Sequence, residues 1–321
     1  MTRCLVTGAG GAIGGHLVKA LLEQGHEVKA ADIKPLTEWW QLHEGAYNFG
    51  KADMRYSSIR GLMAGVEHVY DLAELMGGIS FITNNRVDCA ESIEIGISVL
   101  RAAVGSGVRR VFFSSSACVY PMHLQTSKAL LMASEGLGEE DAWPAEPEEG
   151  YGFSKLYMEE LMRYYRDERG LEIRIARYHN VFGDPGSWND GREKAPAALC
   201  RKVAIAKHTG KPVVIWGNGK QLRSYLHVSD CVRGTIALME SSYDEPVNIG
   251  SDQSVSVDEL VSIIEEIAGV EVERHYDLSG AQGVSARNAD ISLAREVIGW
   301  EPVVPLRDGL GQLYEWIEKQ V

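Results

Sequence analysis

The sequence predicts an α/β fold: a doubly wound parallel sheet with helices on both faces, followed by a smaller C-terminal lobe. Two features of the 321-residue chain predict it. Short apolar runs alternate with helix-length segments through the first half, and the pattern becomes irregular after about Arg177. Strands that alternate with helices pair in parallel through right-handed crossovers. We therefore expect a sheet domain over residues 1–177 and mainly a separate lobe over 178–321, with some of its segments returning to the sheet.

The predicted strands are short runs rich in apolar side chains. They are Cys4–Thr7, Glu27–Ala31, His68–Leu72, Arg110–Ser115 and Glu172–Arg177. The segments between them with helical periodicity are Ala12–Gln24, Ser57–Ala64, Ala90–Val104 and Tyr151–Arg169. In the second half, Pro212–Trp216 and Val247–Ile249 are predicted as strands and Val257–Ala268 as a helix. The acidic, proline-containing segment Gly136–Gly150 is expected to form a surface loop.

Composition excludes several classes of protein. The formal net charge is -13 and no Lys/Arg-rich block is present, so binding to nucleic acid or to an anionic membrane is not expected. The five cysteines are widely spaced, without a Cys-x-x-Cys pair, and we expect no metal site. The first strand begins too early to leave room for a signal peptide, and no apolar run is long enough to span a membrane. We expect a soluble, cytoplasmic protein.

A glycine-rich turn follows the first predicted strand and opens the first predicted helix. Its residues Gly8, Gly11, Ala12, Ile13 and Gly14 carry the Gly-x-x-Gly-x-x-Gly spacing. Such glycines permit a tight bend, let backbone N–H groups approach a pyrophosphate and let the helix pack on the sheet. The helix N-terminus adds partial positive charge for the phosphates. Because it lies between a strand and a helix, the turn predicts a Rossmann-type dinucleotide site.

An acidic side chain at the end of the second predicted strand favours NAD over NADP. Asp32 lies 18 residues after Gly14, where its carboxylate can accept a hydrogen bond from a ribose 2′-hydroxyl. The same carboxylate would repel a 2′-phosphate, and no arginine directly follows it. Asp53 could reach the adenine, although a solvated turn explains it nearly as well. Met54, Leu72 and Ala73 are further expected cofactor contacts.

A serine, a tyrosine and a lysine form a candidate redox site. Ser116 follows a predicted strand, and Tyr151 and Lys155 share one face at the start of a predicted helix. A phenol of pKa about 10 is a poor base at neutral pH, but a nearby ammonium and a positive nicotinamide lower its pKa. Ser116 could hydrogen-bond the same substrate oxygen. A lone Tyr-x-x-x-Lys is typical of a solvated helix face, but its place after the nucleotide turn favours catalysis.

Further stretches of the chain carry a resemblance to a known family. They are Met76–Ile82, Ser116–Pro121, Asp141–Pro147, His179–Gly183, Gly191–Ala198 and Pro246–Ser251. Together with the nucleotide turn and Tyr-x-x-x-Lys, they resemble the extended short-chain dehydrogenase/reductase family of nucleotide-sugar epimerases and dehydratases. More specifically they resemble GDP-mannose 3,5-epimerases, above all in the long stretch Gly191–Ala198. The resemblance implies an NAD-binding Rossmann domain over 1–177, a mainly substrate-binding lobe over 178–321, and a homodimer.

The resemblance also implies a reaction through a 4-keto sugar. Tyr151 would deprotonate the sugar 4-hydroxyl while NAD takes hydride from C4, and the ketone would acidify the C–H bonds at C3 and C5. Cys118 and Lys194 would then remove a proton from one face and return one to the other. A thiol of pKa about 8.5 and an ammonium shifted by burial suit proton transfer near neutral pH. Considered alone, Cys118 could equally be a buried apolar residue, and Lys194 a surface cation.

Residues for holding a nucleotide-diphosphate sugar follow from the resemblance in the same way. Arg223 and Arg287 are candidates for the diphosphate, since arginine binds phosphate in bidentate geometry. Asn180 would add an amide hydrogen bond, and Gly77 and Gly78 would let the backbone approach the hexose. The matching is loosest at the base-binding end, which leaves guanine and uracil both open.

Three other functions are compatible with parts of the pattern. A UDP-hexose or UDP-uronate 4-epimerase would use Tyr151, Lys155 and NAD but would leave Cys118 and Lys194 idle. A sugar 4,6-dehydratase would carry Asp-Glu where this chain has Ala117-Cys118. A catalytically silent NAD sensor would need none of the hydride chemistry for which Ser116 and its two partners are suited.

Overall fold

A parallel seven-stranded sheet forms the centre of the computed structural model, which describes residues 1–56, 59–126, 136–280 and 283–321. The strands are β1 (Arg3–Thr7), β2 (Glu27–Ala31), β3 (Tyr47–Phe49), β4 (His68–Asp71), β5 (Arg110–Ser116), β6 (Glu172–Tyr178), β7 (Val181–Phe182), β8 (Val213–Trp216), β9 (Leu222–Ser224), β10 (Leu226–His227), β11 (Pro246–Ile249), β12 (Ser254–Ser256), β13 (Arg274–Asp277) and β14 (Ala286–Arg287). The central sheet has the order β11-β6-β5-β4-β1-β2-β3, and each neighbouring pair is parallel. This order confirms the predicted doubly wound, Rossmann-type sheet.

Helices cover both faces of this sheet and form much of the C-terminal lobe. They are α1 (Ala12–Glu23), α2 (Ile59–Met63), α3 (Ile79–Asn84), α4 (Arg86–Glu91), α5 (Ile93–Ser106), α6 (Tyr151–Arg169), α7 (Ala195–Thr209), α8 (Val228–Glu240), α9 (Val257–Ala268), α10 (Ser292–Ile298) and α11 (Leu306–Glu318). Single 3-10 turns occur at Leu36–Glu38, Ala117–Val119, Met122–Gln125 and Glu139–Ala142. Among the described helices, none combines the length and the apolar character needed to cross a membrane.

Strand β1 shows how the sequence builds two cores from one sheet. Successive side chains of a strand point to opposite faces, and all of those from Cys4 to Thr7 are buried. Cys4 and Val6 pack in one apolar cluster with Leu17 of α1, whereas Leu5 packs in the other with Leu100 of α5. Burial on both faces is why the strands of this parallel sheet read as continuous apolar runs rather than as an alternation.

The C-terminal half contributes both to a lobe and to the central sheet. Helices α7, α9 and α11 pack around a separate apolar cluster that includes Val203, Leu260 and Leu313. Strand β11, in contrast, pairs with β6 at the edge of the central sheet, and α8 packs in the same cluster as α1. Small sheets complete the lobe: β7 pairs with β10, β8 with β13, and β9 lies between β12 and β14.

Two features of the local structure differ from the expectations. The helix predicted over Ala90–Val104 is α5 preceded by the short helices α3 and α4. Strand β3 was not predicted, because three residues with two exposed side chains leave no apolar run. The helix predicted over Ser57–Ala64 is α2, and the first two residues of the predicted range lie outside the described ones.

Only the second part of the segment Gly136–Gly150 is the surface loop that its acidic composition suggested, since residues 143–146 are exposed whereas the part before them is largely buried. Leu137 and Ala142 are buried, and Leu137 forms a β-bridge with Ala289. Burial raises the pKa of Glu139 to about 7, although its carboxylate accepts a hydrogen bond from the backbone of Asn248. The prediction was wrong for residues 136–142 because they pack against β11, which is distant in sequence and completes the sheet beside them.

A buried ion pair connects α6 to the strands beneath it. The guanidinium of Arg177 donates to both carboxylate oxygens of Glu159 at 3.0 and 2.7 Å, and both side chains are at least 98% buried. Arg177 also donates to the hydroxyl of Tyr120 at 3.3 Å, and that hydroxyl donates to Asn248 at 2.6 Å. Ser115 donates to the same Glu159 carboxylate. The network therefore ties together α6, β5, β6 and β11.

We expect Glu159→Ala to lower the free energy of unfolding by about 3–5 kcal/mol, because it leaves the Arg177 charge buried without its partner. Equilibrium urea denaturation followed by tryptophan fluorescence measures the change. Glu168→Ala is the matched control, since Glu168 is an exposed carboxylate on the same helix, and its effect should stay within about 0.5 kcal/mol. Equal losses in the two variants would contradict this assignment of the ion pair.

Candidate active site

A cavity of about 840 Å³ opens at the carboxyl ends of the central strands. It lies where the strand order reverses between β1 and β4, which is where doubly wound sheets bind ligands. The expected site residues that line it are Gly8, Gly11, Ala12, Ile13, Gly14, Asp32, Asp53, Met54, Leu72, Ala73, Ser116, Tyr151, Lys155 and Lys194. The expected residues outside its walls are Gly77, Gly78, Cys118, Asn180, Arg223 and Arg287.

The glycine-rich turn forms one end of the cavity in a geometry that side chains would prevent. Gly8 has φ +67°, and a Cβ there would lie 2.7 Å from the carbonyl oxygen of Leu72. A Cβ at Gly14 would lie 2.2 Å from the carbonyl oxygen of Gly8. Helix α1 begins directly after Gly11, with no side chain capping its first N–H groups. These N–H groups and the helix dipole provide a phosphate-binding surface.

A buried threonine–aspartate pair holds the turn against the neighbouring strand. Thr7 donates its hydroxyl proton to Asp71 at 2.6 Å, and the same oxygen accepts the backbone N–H groups of Leu72 and Ala73 at 3.1 Å each. Burial raises the pKa of Asp71 to about 6. Sequence reasoning missed this pair, since the only signal was a polar residue at the carboxyl end of each strand.

Two acidic residues line the cavity beyond the carboxyl ends of β2 and β3. Asp32 accepts hydrogen bonds from the backbone N–H groups of Gly10 and Lys34, both at 2.9 Å, which orients its carboxylate. Each carboxylate oxygen keeps a lone pair that can accept a hydrogen bond from a ribose hydroxyl. Asp53 is instead paired with Arg55 at 2.6 Å, which holds the pKa of the Asp53 carboxyl below its usual range.

Helix α6 carries Tyr151 and Lys155 into the opposite end of the cavity. Lys155 donates to the carbonyl of Ser114 at 2.8 Å and forms an ion pair with Glu74 at 2.5 Å. Burial raises the pKa of Tyr151 well above its usual value, and the negative charge of Glu74 acts in the same direction. Lys155 was expected to lower this pKa, but the Glu74 carboxylate pairs with its ammonium and offsets that charge. In the protein alone the phenol is therefore protonated at neutral pH.

Cys118 lies in a tight turn packed against the start of α6. The turn Ala117–Val119 is capped by Ser116, whose hydroxyl accepts from the backbone N–H of Cys118 at 3.2 Å. A Cβ at Gly152 would lie 2.3 Å from the carbonyl oxygen of Cys118, so glycine permits this close packing beside Tyr151. Burial raises the pKa of the Cys118 thiol, and the positive charge of Arg287 opposes that rise.

Lys194 is the residue immediately before α7 and points into the cavity. Its loop is held by Gly78, which donates its N–H to the carbonyl of Arg192 at 2.9 Å. A Cβ on Gly78 would lie 2.5 Å from the carbonyl oxygen of Glu193, so this glycine serves packing within the chain. Burial lowers the pKa of the Lys194 ammonium, which is close enough to Cys118 and Arg287 to interact with their charges. Lys194 is thus no simple surface cation.

The two candidate arginines lie side by side on paired strands. Arg223 of β9 is the register partner of Arg287 of β14, and burial together with the charge of Arg287 lowers the pKa of Arg223 to about 10. Arg287 donates to the sulfur of Cys118 at 3.3 Å and to Glu148 at 3.5 Å. Asn180 has φ +43° and donates its amide to the carbonyl of Ser224 at 2.9 Å, which is a contact within the fold.

Several polar residues around the site were not found from the sequence. Glu74 pairs with Lys155, Glu148 pairs with Arg287, and Gln125 accepts a hydrogen bond from Arg287. None belongs to a motif of recognisable spacing, because each contacts a residue from a distant part of the chain. For Glu74, its place three residues after the carboxyl end of β4 was the only local signal.

The sequence and the fold are both similar to known nucleotide-sugar enzymes. The model of the NAD dependent epimerase/dehydratase family matches residues 4–250. GDP-mannose 3,5-epimerase 1 of Oryza sativa subsp. japonica is 41% identical over 99% of this chain and 82% of the relative. UDP-glucose 4-epimerase of Thermotoga maritima, solved with UDP-glucose, has a TM-score of 0.88 at 25% identity, covering 99% of each chain. UDP-glucuronic acid 4-epimerase of Bacillus cereus, solved with UDP-glucuronic acid and NAD, has a TM-score of 0.84 at 26% identity over both full lengths.

We expect Gly14→Ala to weaken NAD binding by about tenfold to a hundredfold, because the new methyl group displaces the turn. The dissociation constant is measured by titrating the cofactor-free protein with NAD. Gly311→Ala is the control, since a Cβ there meets no atom within 4 Å and Gly311 lies in α11. Unchanged NAD affinity in Gly14→Ala would show that the turn does not hold the cofactor.

Proposed function

The chain belongs to the NAD dependent epimerase/dehydratase family and is an NAD-dependent epimerase, and we propose that it converts GDP-mannose by epimerisation at C3 and C5. One observation carries the proposal: Lys194 lines the cavity together with Tyr151, and Cys118, outside the cavity walls, is near enough for its charge to act on Lys194. A thiol and an amine close to each other provide the acid and the base that inversion beside a ketone requires. Inversion at C4 alone needs neither group.

The cofactor residues fit NAD in three places. The uncapped N-terminus of α1 suits the diphosphate, the oriented Asp32 carboxylate suits the adenosine ribose, and Tyr151 with Lys155 lies at the reacting end. Bound NAD supplies a reversible acceptor for the hydride of the sugar C4. Its positive ring also adds the charge that lowers the pKa of the Tyr151 phenol, which the protein alone raises.

Tyr151 begins the reaction as the base for the sugar 4-hydroxyl, with Ser116 as its hydrogen-bond partner. Once C4 is a ketone, the C–H bonds at C3 and C5 become acidic. The lowered pKa of Lys194 favours a neutral amine that can accept a proton, while the raised pKa of Cys118 favours a thiol that can donate one. Arg287 stabilises the thiolate left after donation, because it already contacts the sulfur.

The paired arginines are the candidates for the substrate diphosphate. Arg223 and Arg287 place two positive charges on adjacent strands of a protein whose net charge is -13. An anionic ligand relieves their mutual repulsion, which favours a doubly charged group there. Asn180 lies near Arg223, because its amide donates a hydrogen bond to the carbonyl of the next residue, Ser224. Guanine as the base rests on the 41% identity to the rice relative.

A second candidate is a UDP-hexose or UDP-uronate 4-epimerase. It is favoured by the overall fold, which matches UDP-sugar 4-epimerases over nearly the whole chain. Such an enzyme uses Tyr151, Lys155 and NAD in the same way, but the keto sugar rotates instead of exchanging protons with solvent. Cys118 and Lys194 would then have no chemical role.

The proposal includes a homodimer in the cytoplasm, with an NAD-binding domain over residues 1–177 and a mainly substrate-binding lobe over 178–321. Exposed aromatic side chains of α6 support the dimer: Phe153, Tyr157 and Tyr164 are each more than half exposed. Residues at spacings of four and seven lie on one side of a helix. An apolar stripe of this kind is suited to packing against a second copy.

We expect GDP-mannose recovered after incubation in D₂O to carry deuterium at C3 or C5, because enolisation exchanges those protons with solvent. UDP-glucose and UDP-glucuronate are incubated separately, and each sugar is analysed by mass spectrometry and NMR. No deuterium is expected in the two UDP-sugars. Inversion at C4 of a UDP-sugar without solvent deuterium would establish the 4-epimerase and contradict the proposal.

We expect Cys118→Ala to block epimerisation while slow oxidation at C4 still produces NADH absorbance, because the thiol acts only after the ketone has formed. Tyr151→Phe should lose both signals, by at least about a hundredfold, since it removes the base for the first step. Tyr157→Phe is the matched control on the same helix, with an exposed side chain. Wild-type product formation by Cys118→Ala would remove the thiol from its assigned role.

A further inference from the structure

Glu74 is a charged residue of the cavity that has no role in the proposed reaction. It follows β4, lines the cavity and is 90% buried at its side chain. One carboxylate oxygen lies 2.5 Å from the ammonium nitrogen of Lys155. The other oxygen is buried and has no hydrogen-bond partner among the described residues. A buried carboxylate oxygen without a donor costs stability, so this oxygen requires a donor that the described part of the chain does not provide.

The position of Glu74 indicates which ligand supplies that donor. The turn at Gly8 and the start of α1 fix the diphosphate region, Asp32 lies on the adenosine side, and Tyr151 lies at the reacting end. Glu74 is beside Lys155, near enough for its charge to act on Tyr151. It therefore lies in the half of the cavity that takes the nicotinamide and the ribose attached to it.

The chemistry of the Glu74–Lys155 pair matches a hydroxyl group. A hydroxyl can accept a hydrogen bond from an ammonium and donate one to a carboxylate at the same time. Lys155 donates a hydrogen bond to the carbonyl of Ser114 at 2.8 Å, so the pair is held in place before any ligand binds. Two neighbouring hydroxyls of a ribose can satisfy both members of such a pair.

We propose that Glu74 is a further cofactor-binding residue, whose carboxylate accepts a hydrogen bond from a hydroxyl of the nicotinamide-side ribose of NAD. The carboxylate also balances the charge of Lys155, so that the positive oxidised ring enters a site without net repulsion. Oxidised NAD consequently gains more from Glu74 than reduced NAD does. The proposal rests on NAD binding and is independent of which sugar is the substrate.

The first test uses the unmodified protein, so that no variant has to fold. Cofactor-free protein is titrated calorimetrically with NAD and with two analogues that lack either the 2′- or the 3′-hydroxyl of the nicotinamide-side ribose. At least one analogue should bind about tenfold more weakly or worse, the loss expected for a hydrogen bond to a charged group. Equal affinity for all three compounds would overturn the proposal.

The second test assigns the lost hydrogen bond to Glu74. Glu74→Ala should weaken binding of oxidised NAD about tenfold or more, with a smaller loss for reduced NAD, and the sensitive analogue should bind the variant no worse than NAD does. Glu94→Ala is the control, since it removes an equal charge from an exposed position on α5. If the analogue loses as much affinity in Glu74→Ala as in the unmodified protein, the hydroxyl is held by another group. In that case Glu74 is only the counter-ion of Lys155.

Discussion

The buried ion pair between Glu159 and Arg177 is the interaction on which the geometry of the site depends. Glu159 lies on the same helix as Tyr151 and Lys155, while Arg177 lies in β6. Through Tyr120 and Ser115 the pair also fixes both sides of the turn that carries Cys118. Two opposite charges that are buried away from water must pair with each other, because an unpaired buried charge is strongly destabilising. The network therefore permits few alternative positions of α6 relative to the strand ends that it must meet.

Buried positive charges, each in a different environment, surround the cavity of an acidic protein. Lys155 is neutralised by Glu74, whereas Arg287 contacts the sulfur of Cys118 and only distantly Glu148. Burial lowers the pKa of Lys194, so its ammonium loses a proton more readily than an exposed lysine does. Lys155 is therefore paired with a carboxylate beside Tyr151, whereas the cations near Cys118 lie where we propose that the sugar nucleotide binds.

Glycines at the site serve close packing of the chain on itself as much as access for ligands. Because Gly78 has no side chain, the backbone of Glu193 packs closely against it, and Gly152 allows the same close approach of the carbonyl of Cys118. The first contact positions the loop that ends in Lys194, and the second positions the thiol beside Tyr151. We expected Gly77 and Gly78 to make room for a hexose. In the structure, a side chain at Gly78 would displace the loop that ends in Lys194, the proposed acid or base.

The sequence by itself determined the sheet domain, the glycine turn, the acidic residue after β2 and the Tyr-x-x-x-Lys pair, because each is encoded within a few consecutive residues. The apolar runs of buried strands and the helical spacing of apolar residues are both visible in short stretches of sequence, because burial determines where apolar side chains occur. Only the tertiary structure decided that Arg287 contacts Cys118 with Lys194 nearby, that Glu74 pairs with Lys155, and that residues 136–142 pack against β11. These contacts join segments far apart in the chain. No local pattern specifies which distant segments pack together, since that choice depends on filling one core and satisfying its buried charges.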